Sequence, residues 1–159
     1  MSDGRTIQHT AFERLSLPLE TGFTISRGTT DTAENVVVRL EDGRGSVGTG
    51  AAAPSAYYGE DADSVESVLP ELLAAAESVG DPANAQRIEA ELAALAPDSP
   101  AARAAVSIAV HDLAARQTDE PLSRRLGLDP ASAPATSFTV GIDSPAEMAS
   151  KAQRAVAAG

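Results

Sequence analysis

Residues 99–117, SPAARAAVSIAVHDLAARQ, are the most apolar long segment of the chain and constrain its fold more than any other stretch. Ser99 suits the cap ahead of a helix and Pro100 suits the first helical position. Ala102, Val106, Ala109 and Leu113 fall on one face at helical spacing, and Ala105 and Ile108 widen it. The polar residues Arg103, Ser107 and His111 share one narrow stripe. The pattern predicts a helix buried on most sides. Its alanines leave room for neighbouring backbones to come close, so it is the post against which the other segments pack.

The segments before the post read as strands and then helices. Residues 7–19 suit a first strand, with Pro18 ending regular pairing. Residues 21–34, TGFTISRGTTDTAE, read as a mobile loop, given glycines at 22 and 28 and a cluster of hydroxylated side chains. Val36, Val38 and Leu40 alternate with Val37, Arg39 and Glu41, which predicts a half-buried strand. The turn Asp42-Gly43-Arg44-Gly45 then leads to a partner strand at 47–51. Three antiparallel strands in a meander follow.

Beyond a second loop, AAPSAYYGED, the composition changes to helix. Asp63 and Glu66 have capping-box spacing, and Val65, Val68, Leu69, Leu72, Leu73 and Ala76 form a buried stripe. Pro70 is expected to kink or split this helix. Gly80 ends it, and Asp81-Pro82 opens a second helix with Ala85, Ile88, Leu92 and Leu95 on one side. After the post comes a short helical turn at 121–126. Residues 135–142 are a β-rich run, and Ser144, Pro145 and Glu147 form a helix start ahead of Met148, Ala152, Ala155 and Val156. One strand and one helix cannot bury a sheet by themselves, so the C-terminus reads as cut within a repeating β/α architecture.

Composition narrows the chemistry. The 159 residues suffice for one domain with a real core, and the absence of cysteine excludes disulfides, thiolate metal sites and cysteine nucleophiles. A net charge of −11 with a single lysine, Lys151, disfavours nucleic acid and anionic membranes as partners. It suits a protein working in high salt, where self-repulsion is screened. The polar N-terminus and the lack of a bilayer-spanning apolar run predict a soluble cytoplasmic protein.

No complete active site assembles from these residues. His9 and His111 lack a second ligand at metal-binding spacing, and His111-Asp112 point about 100° apart on a helix. Asp112 and Arg116 have the spacing of a local ion pair. The runs Gly43-Arg44-Gly45 and Gly48-Thr49-Gly50 match neither phosphate-loop pattern and read as turn and strand. Arg27 is the exception, a lone cation in a Gly- and Thr-rich loop bordered by Phe23 and Ile25. It reads either as a clamp for a carboxylate over a pocket or as a solvated surface arginine.

The order of parts carries a resemblance. FTISRG at 23–28, TAE at 32–34 ahead of Val36-Val37-Val38, GTGAAAPS at 48–55, residues 102–115, Glu120-Pro121-Leu122 and residues 138–145 together resemble the N-terminal part of the enolase superfamily. The likeness is to its muconate-lactonising and mandelate-racemase-like members, and most of all to the dipeptide epimerases. It implies an α+β fold: a capping domain over 1–125, built as a three-stranded meander followed by helices, and the first strand and helix of a truncated β/α barrel over 126–159. It implies an isomerase that abstracts a proton alpha to a carboxylate, with Mg2+ as cofactor and a small dipeptide or carboxylate as substrate. Muconate cycloisomerase and o-succinylbenzoate synthase chemistry are alternatives within the superfamily. A non-catalytic capping module is another, and the partner is left open between a homo-oligomer and a missing barrel domain.

By the same resemblance Arg27 would bind the acidic side chain of an acidic dipeptide, with Phe23 and Ile25 lining the cavity. Tyr57 and Tyr58 would lie in a second capping loop, and Thr139 on the first barrel strand. Two departures stand out. Ala51 occupies a position where such proteins commonly carry glutamate. The Lys-x-Lys strand, the acidic metal ligands and the opposing lysine would lie beyond Gly159, so no catalytic residue and no metal ligand is expected within the chain.

Overall fold

Val36, Val38 and Leu40 are completely buried along one face of a strand, in a computed structural model that describes residues 4–158. Burying each such side chain contributes about 1.5–3 kcal/mol, which fixes which face of the sheet turns inward. The sheet has three strands, β1 (Ile7–Ile25), β2 (Gly28–Asp42) and β3 (Val47–Ala52), in the order β1-β2-β3. β2 and β3 pair antiparallel, with Val38 opposite Gly50 and Leu40 opposite Gly48. The expected meander is present.

Its first hairpin is longer than the sequence suggested. Residues 21–34 are not a loop: all but Ser26 and Arg27 belong to β1 or β2. The threonines that read as loop residues are β-branched and suit a strand, and β1 is an edge strand, where Pro18 forfeits no ladder bond that a second neighbour needs.

The helices are α1 (Ala62–Val79), α2 (Ala85–Leu95), α3 (Pro100–Arg116), α4 (Leu122–Arg125) and α5 (Pro145–Ala158). α3 is the predicted post, with Ala102, Ala105, Val106, Ala109, Val110 and Leu113 fully buried. It lies against β3, where Gly48 and Gly50 present no side chain and admit the helix backbone. The glycine run is therefore a packing device. α1 and α2 close the core with Leu69, Leu72, Ile88 and Leu92.

Several local expectations change. The cap of α1 lies two residues earlier than Asp63. Asp61 is its cap, accepting from the Ser64 N–H at 2.7 Å while the Ser64 hydroxyl takes the Asp61 N–H at 2.9 Å. Asp63 and Glu66 instead both receive Arg14 from β1. Pro70 does not divide α1. It sits on the exposed side, where water can reach the Glu66 carbonyl that loses its donor. Ser99 makes no side-chain bond to the start of α3.

At α5 the Ser144 hydroxyl accepts the Glu147 N–H at 3.3 Å, but the Ser144 N–H is taken by Asp143 at 2.7 Å and not by Glu147. Met148 and Ala155 are half-buried, whereas Ala152 and Val156 are exposed. Residues 135–142 form no strand ladder among the described residues. A β-rich run becomes a strand only beside a neighbour. Here Ile142 N–H donates to the Thr24 carbonyl at 2.7 Å.

The chain divides into two compact units. One comprises Met1–Ser16 and Glu34–Asp129 and contains the hydrophobic core; the other comprises Leu17–Ala33 and Pro130–Gly159. Among the described residues no helix is long and apolar enough to cross a membrane.

Candidate functional site

In the second unit, the hairpin tip is a two-residue turn, Ser26-Arg27, closed by Gly28 at φ +143°. That backbone conformation suits glycine and lets Arg27 occupy the tip. Below it, the hydroxyls of Thr24 and Thr29 share a hydrogen bond of 2.8 Å across the two strands. Phe23 and Ile25 stand two residues apart on one face of β1 and are 37% and 40% exposed, so both keep apolar surface available.

Phe23 also borders a cavity of about 820 Å³ within this unit, lined besides by Thr139, Val140, Lys151, Arg154 and Val156. The structure thus brings Phe23 and Thr139 to one cavity. Ile25 and Arg27 are not among its walls. The Lys151 ammonium is held by Asp143 at 3.0 Å. Lys151 is the main reason that the Asp143 carboxyl lies below the usual carboxylate range, helped by the Ser144 N–H. A guanidinium at a hairpin tip beside apolar side chains can take a carboxylate through two parallel N–H bonds.

In the first unit, a single 3₁₀ turn, Ala56–Tyr58, carries Tyr57 and Tyr58. The Ser55 hydroxyl accepts the Tyr57 N–H, and the Ser55 carbonyl accepts the Tyr58 N–H at 2.9 Å. The two rings meet edge to face with centroids 4.9 Å apart, and they are 61% and 71% exposed. Ala51 is an exposed residue of β3.

Sequence reasoning missed three side chains that hold this unit. Asp112, besides its expected pairing with Arg116 at 2.9 Å, accepts the Thr49 N–H of β3 at 2.9 Å. Asp42 is 2% exposed and accepts from the N–H groups of Arg44 and Ser46 and from the Gln117 amide. Burial by itself pushes the Asp42 carboxyl up, but these donors outweigh it and hold the group below its ordinary range. Glu60, also buried, accepts the Ala101 N–H at 3.0 Å. The Asp112–Arg116 pairing and the bonds of Asp42 to Arg44 and Ser46 within its own turn are local, whereas the Thr49, Gln117 and Ala101 partners are remote in sequence. Among the described residues no group of three or more His, Cys, Asp or Glu side chains converges to hold a metal ion.

Comparison with known proteins gives a consistent result. Residues 9–127 match the mandelate racemase / muconate lactonizing enzyme N-terminal domain family. The chain is 35% identical over 129 residues to an L-Ala-D/L-Glu epimerase of Bacteroides thetaiotaomicron, covering 81% of this chain and 33% of the relative. It is 34% identical over 146 residues to a hydrophobic dipeptide epimerase of Enterococcus faecalis, covering 90% and 40%. Among solved structures, a dipeptide epimerase from Methylococcus capsulatus, complexed with Mg and the dipeptide L-Arg-D-Lys, superposes with a TM-score of 0.87 at 29% identity, over 97% of this chain and 44% of that one. The chain therefore spans a third to two fifths of the length of these curated relatives.

Proposed function

The chain belongs to the mandelate racemase / muconate lactonizing enzyme family through its N-terminal domain, and on that premise we propose that it supplies the substrate-selecting loops of a dipeptide epimerase acting on acidic dipeptides. The relatives are dipeptide epimerases, but they differ in substrate: one is named for Ala-Glu, one for hydrophobic dipeptides, and one was solved with Arg-Lys. Family membership therefore leaves the side-chain preference to the loops of the individual chain.

The observation that carries the reading is Arg27 at the hairpin tip, with Phe23 and Ile25 exposed on one face of the same strand. In this reading Arg27 clamps the side-chain carboxylate of the substrate, and Phe23 and Ile25 cover its methylenes. Thr139, at the cavity that Phe23 also borders, stands near the reacting end. A fixed guanidinium selects against a cationic side chain by repulsion as much as it selects for an acidic one.

Mg, present in the Methylococcus structure, finds no ligand set among the described residues, and no step through it is assigned to them. The contribution of these residues is to bind and orient the substrate. Holding a dipeptide in one pose converts remote binding into rate at the reacting carbon.

A hybrid in which this chain replaces the matching N-terminal segment of the Bacteroides relative tests the reading. It is expected to epimerise Ala-Glu with a higher kcat/KM than Ala-Leu or a Lys-Arg dipeptide. A preference for the cationic or the hydrophobic dipeptide would overturn the proposed specificity.

A further inference from the structure

Glu60 and Asp42 are the buried charged side chains of the described core, and Glu60 follows directly on the turn that bears the two tyrosines. A carboxylate at 7% exposure needs compensation. Glu60 finds it at the N-terminal end of α3, where the first N–H groups have no partner inside the helix and the helix dipole favours an anion. Its Oε1 accepts the Ala101 N–H at 3.0 Å, across 41 positions of sequence, while the local candidate Ser99 makes no side-chain cap.

The same residue closes the turn before it. The Glu60 N–H donates to the Ser55 carbonyl at 3.2 Å, and the Gly59 N–H, at a residue with φ +77°, donates to Ala56 at 3.2 Å. With Tyr57 and Tyr58 bound to Ser55, and the Asp61 N–H bound to the Ser64 hydroxyl, five successive main-chain donors from 57 to 61 are all engaged. These bonds shape the turn, which presents two tyrosine rings outward, edge to face. Large aromatic side chains on an ordered turn form contact surface at little further entropy cost.

We infer that Glu60 is a positioning residue: its carboxylate anchors the Tyr57–Tyr58 turn to the first turn of α3 and so sets where the two rings stand as a preformed wall for the ligand. What the wall faces rests on the dipeptide function proposed above; the anchoring itself does not. The reach of the glutamate side chain matters here, since aspartate places the carboxylate one methylene short of Ala101. Glutamine keeps both the reach and an acceptor oxygen.

The sequence provides its own probe. The chain holds two tyrosines and no tryptophan, so its near-ultraviolet tyrosine circular dichroism reports on this turn alone. Glu60→Asp is expected to lose about half or more of that band while the far-ultraviolet spectrum keeps its helical signal, because the band needs fixed ring orientation. Glu60→Gln restores it to near the native value. Ser99→Ala leaves both spectra unchanged.

Ile88→Val, a core change remote from the turn, lowers Tm without altering the tyrosine band. A Glu60→Asp protein with a lowered Tm and a native tyrosine band would overturn the assignment, leaving Glu60 a helix cap alone. Loss of the band in Ser99→Ala would do the same. No dipeptide enters these measurements, so their outcome is separate from that of the hybrid assay.

Discussion

Gly50 of β3 lies so close to Ala105 of α3 that a Cβ added to the glycine would fall 2.0 Å from the Ala105 carbonyl oxygen. Gly48 stands in the same relation to Ala109, at 2.2 Å. The obstacle in both cases is helix backbone, which cannot swing aside as a flexible side chain can. Gly50→Ala should therefore destabilise by about 3 kcal/mol or more, at the upper end of what overpacking a core costs. Urea unfolding measures it, and a loss under about 1 kcal/mol would show that α3 can lift from β3.

Asp42 gives a pH prediction. Its carboxyl lies below the ordinary range in the folded chain, so it contributes stability above the unfolded-state value near 3.9, and that contribution is lost as pH falls through the folded value. Asp42→Asn should lower stability at pH 7 by about 1–3 kcal/mol, the usual cost of spoiling buried charged hydrogen bonds. The gap between native and variant should narrow below about pH 4. Urea midpoints at neutral and acid pH test this, and an equal gap at both would remove the carboxylate's charge from the explanation.

The net charge of −11 gives a salt prediction. Repulsion among exposed carboxylates is screened as the Debye length falls from about 10 Å at 0.1 M salt to about 3 Å at 1 M. We propose on this ground that the chain suits high salt, and Tm should rise steadily with KCl over that range. A flat or falling Tm would contradict it.

How much of this was legible follows from the range of the interactions. α3 and β2 carried their periods openly: Ala102, Val106, Ala109 and Leu113 on one, Val36, Val38 and Leu40 on the other, all now buried. The alanines of α3 foretold close backbone approach, and β3 supplies the two glycines that accept it. The distal hairpin was misread because Pro18, Gly22 and Gly28 signal loops locally, while the pairing that overrides them joins residues on opposite sides of a turn. Ser99 does hold the cap position ahead of Pro100, but its side chain makes no bond to the start of the helix. The carboxylate that does the capping comes from Glu60, and no local spacing points to it. At the candidate site, Arg27, Phe23 and Ile25 could be picked out by residue type, but the turn that puts Arg27 at a hairpin tip could not.

The central claim is that Arg27 selects an acidic side chain, and a specificity ratio tests it most directly. In the hybrid enzyme, kcat/KM for Ala-Glu and for Ala-Leu is measured with Arg27 and with Arg27→Ala. Removing a charge-assisted pair should lower the Ala-Glu value by about tenfold or more while the Ala-Leu value stays within about twofold. Equal losses on both substrates would contradict the claim.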